Sequence, residues 1–362
     1  MLESSDVESF LSQAKEREKA YDWLGAAEFY EKAIGLVPET DFLKLGQLQE
    51  RMGYAFYRAA LQAEGIGEFG ERMRRAVAHY ERAKELYSRL SESGKKPLVL
   101  RCDAMIAYMG YWLTFDVSEK KRLFEECWKI TKEVLRAFKE GGDSLEYGKT
   151  YNQLWLSVWL GLDFEESFQV RENITRETVE YGEQAIKFLS TCGDSHELAR
   201  AYVSTATFVE LFGLVFHDPD EQDEYLQKAK DYWQKANELS EEVAFCESCL
   251  GHAALVLVGL GTNEALKYYE KALEYARKTR DRLRIGLALD MLYHHTFWSR
   301  YSAEDPTENV RLLNRALEYA EEAKRQYSTI SLVIFSGAPL WVEAPHAEYY
   351  YLRAELETDL SK

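Results

Sequence analysis

The sequence of 362 residues is poor in the residues that break or staple a chain. It has 6 prolines, and no glycine-rich linker or low-complexity tract marks where one domain stops and a different one starts. Five cysteines, Cys102, Cys127, Cys192, Cys246 and Cys249, are few for this length and odd in number. That argues against a disulfide framework and fits a reducing compartment, so the expected location is cytoplasmic. Positive charge is short as well: 45 Lys+Arg stand against 62 Asp+Glu, a formal net charge of -17. A general attraction to phosphate backbones or anionic lipid is absent, and neither nucleic acid nor membrane is an expected partner. The longest clean apolar run, residues 253–261, falls well below the roughly 20 residues that a membrane-spanning helix requires. The acidic opening MLESSDVESF lacks the basic and apolar regions of a secretory signal, so none is expected.

What the sequence does have is helical periodicity. The stretch GTNEALKYYEKALEYARK, residues 261–278, spaces Ala265, Tyr269 and Ala272 so that two methyl groups flank one ring on a single helix face. The same stripe recurs as Ala26, Tyr30, Ala33, as Ala76, Tyr80, Ala83, and as Ala229, Trp233, Ala236, with weaker forms at Thr178, Gly182, Ala185 and Ala316, Ala320, Ala323. Small residues on both sides of a ring let a second helix approach closely. Taking the last small residue as a marker, and Val134 from the degenerate Cys127, Thr131, Val134, gives Ala33, Ala83, Val134, Ala185, Ala236, Ala272 and Ala323. The intervals are 50, 51, 51, 51, 36 and 51 residues. Such regularity means internal repeats, and a stacked array is how a chain this long avoids needing one oversized core.

The stripe and its period resemble the second helix of the tetratricopeptide repeat (TPR), and the shortest interval is close to that family's unit length. First helices of the family carry a glycine, matched here at Gly53. The resemblance implies an all-α, right-handed α-α superhelix of about seven helix pairs with a C-terminal capping segment. The repeat array spans residues 1–327, with units near 5–38, 40–90, 98–140, 143–191, 194–242, 243–279 and 281–327, and residues 328–362 supply an apolar segment and a capping helix. Local signals agree with this division. Ser5 and Glu8 make a capping box, Gly141-Gly142-Asp143 and Gly193-Asp194-Ser195 punctuate unit four, and Asp218-Pro219 and Asp305-Pro306 each place an N-cap before a proline at the first helical position. The segment from Ser328 to Pro345 is apolar and interrupted by Gly337 and Pro339, so it is expected to cover the exposed end of unit seven.

Several constellations invite chemistry and each has a structural alternative. Gly65, Gly67 and Gly70 spell GxGxxG, but no strand precedes them and Glu68 and Glu71 stand where a phosphate would need positive charge, so an inter-helix loop is expected. Cys246, Cys249 and His252 could face zinc from one helix, with His294 or His295 as a fourth ligand, but no second CxxC exists and small cysteines suit tight helix contacts. The sequon at Asn173 is discounted, and Pro345 spoils the helix that Glu343 and His346 would need to share. The reading therefore expects no catalytic residues, no cofactor and no metal.

The first helices are rich in rings, which can fill core or anchor a ligand. The sharpest run is Tyr147, Tyr151, Trp155, Trp159. TPR arrays are generally non-catalytic scaffolds whose first helices line a concave groove for peptides. On that resemblance the expected partner-binding residues are Tyr54, Tyr57, Arg58, Tyr108, Trp112, Tyr151, Trp155, His294 and Trp298. Basic residues in the first helices of units one and two, Lys15, Lys19, Arg51 and Arg58, are too sparse for a chaperone-tail clamp. The expected partner is a protein or peptide with basic or neutral segments, as the acidic field favours, and the C-terminal segment offers a route to self-association. Two other functions fit the sequence: a peptide-responsive regulatory sensor of TPR type, and an α/α-toroid enzyme acting on carbohydrate.

Overall fold

The computed structural model describes residues 2–90, 92–162, 165, 167–216, 219–239, 262–300 and 305–330. Among them lie thirteen helices and no strand. They run as antiparallel pairs: α1 (Leu2–Lys19) with α2 (Trp23–Ile34), α3 (Phe42–Ala60) with α4 (Ile66–Tyr87), α5 (Glu92–Leu113) with α6 (Val117–Gly141), and α7 (Ser144–Gly161) with α8 (Phe168–Leu189). After these come α9 (Ser195–Phe216) with α10 (Pro219–Leu239), then α11 (Thr262–Thr279), and finally α12 (Arg282–Ser299) with α13 (Pro306–Thr329). Each helix also packs on the next pair, as α4 does on α5 and α6 on α7, so the pairs stack into a TPR-like helical solenoid.

The repeated stripe is what the pairs share. Ala26, Ala33, Ala76, Tyr80, Ala83, Ala185, Ala229, Ala236 and Ala272, with the rings Trp233 and Tyr269, show no more than 1% of their surface. A ring between two methyl groups fills a narrow helix contact, and the facing helix supplies room by lacking a side chain. At Gly53 of α3 an added Cβ would come within 2.6 Å of the Tyr80 ring, and at Gly286 of α12 within 2.3 Å of the Tyr327 ring. The close approach of backbone and ring, rather than turn geometry, requires glycine there.

Caps follow the residues that announced them. Asp305 accepts from the Thr307 amide at 2.9 Å ahead of Pro306, Asp143 from Glu146 at 3.1 Å and Asp194 from Glu197 at 3.0 Å. Gly142 and Gly193 take φ of 73° and 75°, the left-handed region that closes a helix. Three expectations need correction. Ser5 does not cap the first helix, since α1 already begins at Leu2 and Ser5 lies within it. Gly67 and Gly70 do not form an inter-helix loop: α4 already begins at Ile66, capped by Gly65. The buried Phe69 and Met73 draw its first turns onto the core, and Glu68 sits favourably at the positive end of the helix. Helix α5 starts before Leu98, at Glu92, and carries Pro97 inside it, where the missing N–H removes one helical hydrogen bond without ending the helix. The first helix of unit six, Cys246, Cys249 and His252, Asp218, and the apolar segment and capping helix beyond residue 330 fall outside the described residues.

The array closes on itself. The Arg282 amide donates to the Leu61 carbonyl at 2.8 Å, and Arg282 Nε donates to the Ala63 carbonyl at 3.2 Å. Gln62 Nε2 donates to the carbonyls of Thr279 at 2.6 Å and Tyr21 at 2.9 Å. Residues more than 200 positions apart thus share one seam, and α13 also touches α4. A single apolar cluster runs from Val7 through Trp112 and takes in Tyr269, Leu283 and Tyr327.

Candidate functional site

The first helices α5, α7 and α9 touch one another in succession, which places them on the shorter, inner side of the curve. With α3 and α12 brought together by the seam, the first helices form the inner side of a closed array. Its polar residues come from the N-terminal turns of α9 and α12 and from the middle of α3 and α7. Arg58 Nη1 donates to the Tyr54 hydroxyl at 3.2 Å, and Arg58 Nη2 to Asp281 Oδ2 at 3.2 Å. Arg284 donates to the same Asp281 oxygen at 2.5 Å. Asp281 is 1% exposed and also accepts from the amides of Leu283 and Arg284, so one buried carboxylate caps α12 and holds α3 to it. Arg51 pairs with Glu18 and donates to the Tyr30 hydroxyl at 3.2 Å. Arg200 reaches Glu197 at 3.2 Å and the Asn152 carbonyl at 3.0 Å.

These groups act on one another across the inner side of the array. Burial pushes the Tyr54 phenol up, but the charges of Arg200, Arg58 and Arg284 and the Arg58 hydrogen bond outweigh it and hold it below its ordinary value. Other buried tyrosines go the opposite way: burial raises Tyr57 to about 12 and lifts Tyr108 well above the usual phenol. Burial likewise raises Glu197, but Arg200 and the Asn152 amide overcome it and keep the carboxyl low. His196 is pushed down by burial and then by Arg200, with Arg51 contributing, so at neutral pH it carries no charge. In a chain of net charge -17, the field at Tyr54 is positive.

Two hydrogen-bonding atoms in this region have no protein partner. Asn152 is 2% exposed, and its Nδ2 donates to the Glu197 carbonyl and carboxylate at 2.8 Å each, which fixes the amide orientation and leaves Oδ1 unpaired. Arg58 Nε is a buried donor without an acceptor. Unpaired buried polar atoms are costly, and both are sealed within the protein.

The expected partner-binding residues divide by surroundings. Tyr57 and Tyr108 are buried with their hydroxyls 3.0 Å apart, and Trp112 is 1% exposed against Phe69, Tyr108 and Tyr111. Tyr151 is 2% exposed and accepts from Thr205 at 3.4 Å. Tyr54 is buried edge-on to Trp23, which Arg58 overlies at 4.9 Å. Arg58, Trp155 and His294 keep part of their surface open, with Trp155 edge-on to Phe208 and His294 beside Tyr293 and 3.8 Å from Asp290. The side chain of Trp298 lies outside the described residues. The seam unites Tyr54 and Arg58 with α12; His294 stands three helical turns further along that helix. Sequence reasoning missed Asn152, His196, Glu197, Arg200, Asp281 and Arg284. The signal available was an acid three residues before an arginine at the start of a first helix, in Glu197-Arg200 and Asp281-Arg284, which also reads as an ordinary surface pair.

Two inner-helix carboxylates stand apart from this cluster. Burial raises Glu210 of α9 to about 8 and Asp290 of α12 to about 7. Among the described residues no three His, Cys, Asp or Glu side chains gather as metal ligands, and no helix is long and apolar enough to cross a membrane.

The architecture defines a class: a TPR-like helical-repeat fold. Comparison with solved structures agrees. The Rap conjugation gene regulator of plasmid pLS20, in complex with the Phr* peptide, superposes with a TM-score of 0.51 at 14% identity, covering 88% of this chain and 75% of that one. A Rap protein complexed with competence and sporulation factor gives 0.44 at 11% identity, over 98% of this chain and 99% of the other. No protein-family model and no curated protein sequence matches the chain.

Proposed function

We propose that this protein is a non-catalytic scaffold that binds a peptide on the inner side of its closed array. The observation that carries the reading is the set of half-open aromatic and guanidinium groups, Trp155, Arg51, Arg58 and Arg200, on the inner side of the array. A peptide backbone offers both an N–H and a carbonyl to each passing side chain. Trp155 and Tyr54 add apolar contact at small entropic cost. The solved Rap regulator that shares the fold holds a peptide, which supports the same mode of action here.

The seam favours the sensor form of this reading over a passive scaffold. Besides its apolar contacts it includes the Asp281 ion pairs and several hydrogen bonds, so a ligand that engages Arg58 or Arg284 competes with part of what keeps the array closed. Ligand binding and closure are then linked, in whichever direction the differential contacts dictate.

The test is affinity selection of a synthetic library of random five-residue peptides with free termini on the full chain, read by mass spectrometry. A limited set should be retained, and Trp155→Ala should reduce its retention while far-UV dichroism stays unchanged. Retention of no peptide, or retention indifferent to that substitution, contradicts the reading.

A further inference from the structure

The seam also builds a cavity of about 310 Å³, lined by none of the half-open groups of the inner side. The α1–α2 turn brings Tyr21 to it, the α3–α4 turn brings Glu64 with Arg72 beyond, and α11 and α12 bring Arg277, Arg280 and Arg282. These walls belong to units one, two, six and seven, so the cavity is complete only while the array is closed. At about 30 Å³ for a water in the bulk liquid, it has room for roughly ten waters, enough for a small organic molecule.

The charges of this cavity are unevenly matched. Asp22 caps α2 through the Gly25 amide at 3.0 Å and pairs with Arg17 at 3.0 Å. Glu68 pairs with Arg72 and accepts from the Glu64 amide at 2.7 Å, and Arg277 pairs with Glu322 at 3.0 Å. Two guanidiniums are left over. Among the described residues, Arg282 is bonded only to neutral oxygens, the Ala63 carbonyl at 3.2 Å and Gln326 Oε1 at 2.8 Å, and the exposed Arg280 side chain has no hydrogen bond or ion pair. Against these two stands the carboxylate of Glu64, exposed and likewise unpaired among the described residues. A chain of net charge -17 thus holds a local surplus of positive charge in a walled site, where it is screened less than on open surface.

The backbone points the same way. Among the described residues, Tyr21 and Arg280 are the only ones other than glycine with φ in the left-handed region, at 58° and 55°, and both line this cavity. Gly142 and Gly193 take the same conformation elsewhere without steric cost. Arg280 accepts strain that a glycine would avoid while its guanidinium ties no described element to another, the pattern of a residue kept for a ligand. We infer that the cavity binds a small phosphate-bearing molecule, its phosphate held between Arg280 and Arg282 where α11 and α12 meet the α3–α4 turn. A guanidinium fork meets two phosphate oxygens at once, and a charge of about -1.5 to -2 near neutral pH answers two unmatched guanidiniums better than a single carboxylate does. Such a ligand touches both sides of the seam and therefore favours the closed array. The inference stands apart from the peptide-binding reading.

The test titrates the full chain with inorganic phosphate, pyrophosphate and glycerol phosphate, each against sodium chloride at matched ionic strength, and reads melting temperature and hydrogen exchange. At least one of the three should raise the melting temperature saturably beyond the chloride control, and slow exchange at residues 20–24, 61–66 and 279–283 together. Their ranking separates the free ion from a phosphate carried on a larger molecule. Arg280→Gln should weaken binding about tenfold, the range for losing one charged hydrogen-bonded contact, and leave the ligand-free melting temperature unchanged. Arg280→Asn, which suits the left-handed backbone, should lose the same affinity, and Glu64→Gln should gain some. No stabilisation beyond chloride, stabilisation that both Arg280 variants leave intact, or protection that spares these three turns overturns the inference.

Discussion

Tyr54 and Glu210 show how one burial can end in opposite shifts. Both sit on inner helices and both lose hydration, yet the arginines around Tyr54 reverse the effect, whereas nothing described offsets it at Glu210, whose carboxyl rises to about 8. A carboxyl raised in the folded state binds its proton more tightly there than in the unfolded chain. Its stabilising contribution is complete below the unfolded value near 4.3 and is lost as pH climbs through about 8. Glu210→Gln keeps the shape and removes the titration, so its melting temperature relative to the parent should rise between pH 5 and pH 8.5. An offset that stays constant over that range would show Glu210 to be solvated. This behaviour could not be read from the sequence, where Glu210 is one acid among 62 Asp and Glu.

At the scale of the helix, the sequence was most legible where one chain segment determines its own contacts. The alanine and ring stripe named the second helices and their buried faces, and Asp305-Pro306 named a helix start that the hydrogen bond to Thr307 bears out. The first helices were less legible because two faces of each are occupied: Tyr108, Trp112 and Tyr151 pack between helices, while Arg58 and Trp155 on the same helices stay partly open. Period alone cannot separate the two faces when both carry rings. The stripe itself makes a firm prediction. Ala272 is fully buried, so Ala272→Trp should destabilise by about 1 to 3 kcal/mol through overpacking, measured by denaturant unfolding. An unchanged midpoint would mean that this face of α11 is free.

Across the whole molecule, the site depends on contacts that no local pattern encodes. Arg58 and Asp281 are 223 positions apart, and their meeting follows from the accumulated curvature of all the intervening pairs. That is why Arg51 and Arg58 could be picked out as basic residues of first helices but not recognised as half of a cluster completed by Arg200 and Arg284. If the seam holds the array closed, Gln62→Ala combined with Arg282→Ala should enlarge the radius of gyration in small-angle scattering with helix content unchanged. Equal scattering curves would show that closure is built into the stacking itself. The central claim is that ligand is bound inside the closed array by its first helices. Hydrogen exchange on the full chain, with and without a peptide retained from the random library, tests it most directly. The account predicts slowed exchange in α3, α7, α9 and the first turns of α12, with α4, α6 and α8 little changed; protection confined to those outer helices would contradict it.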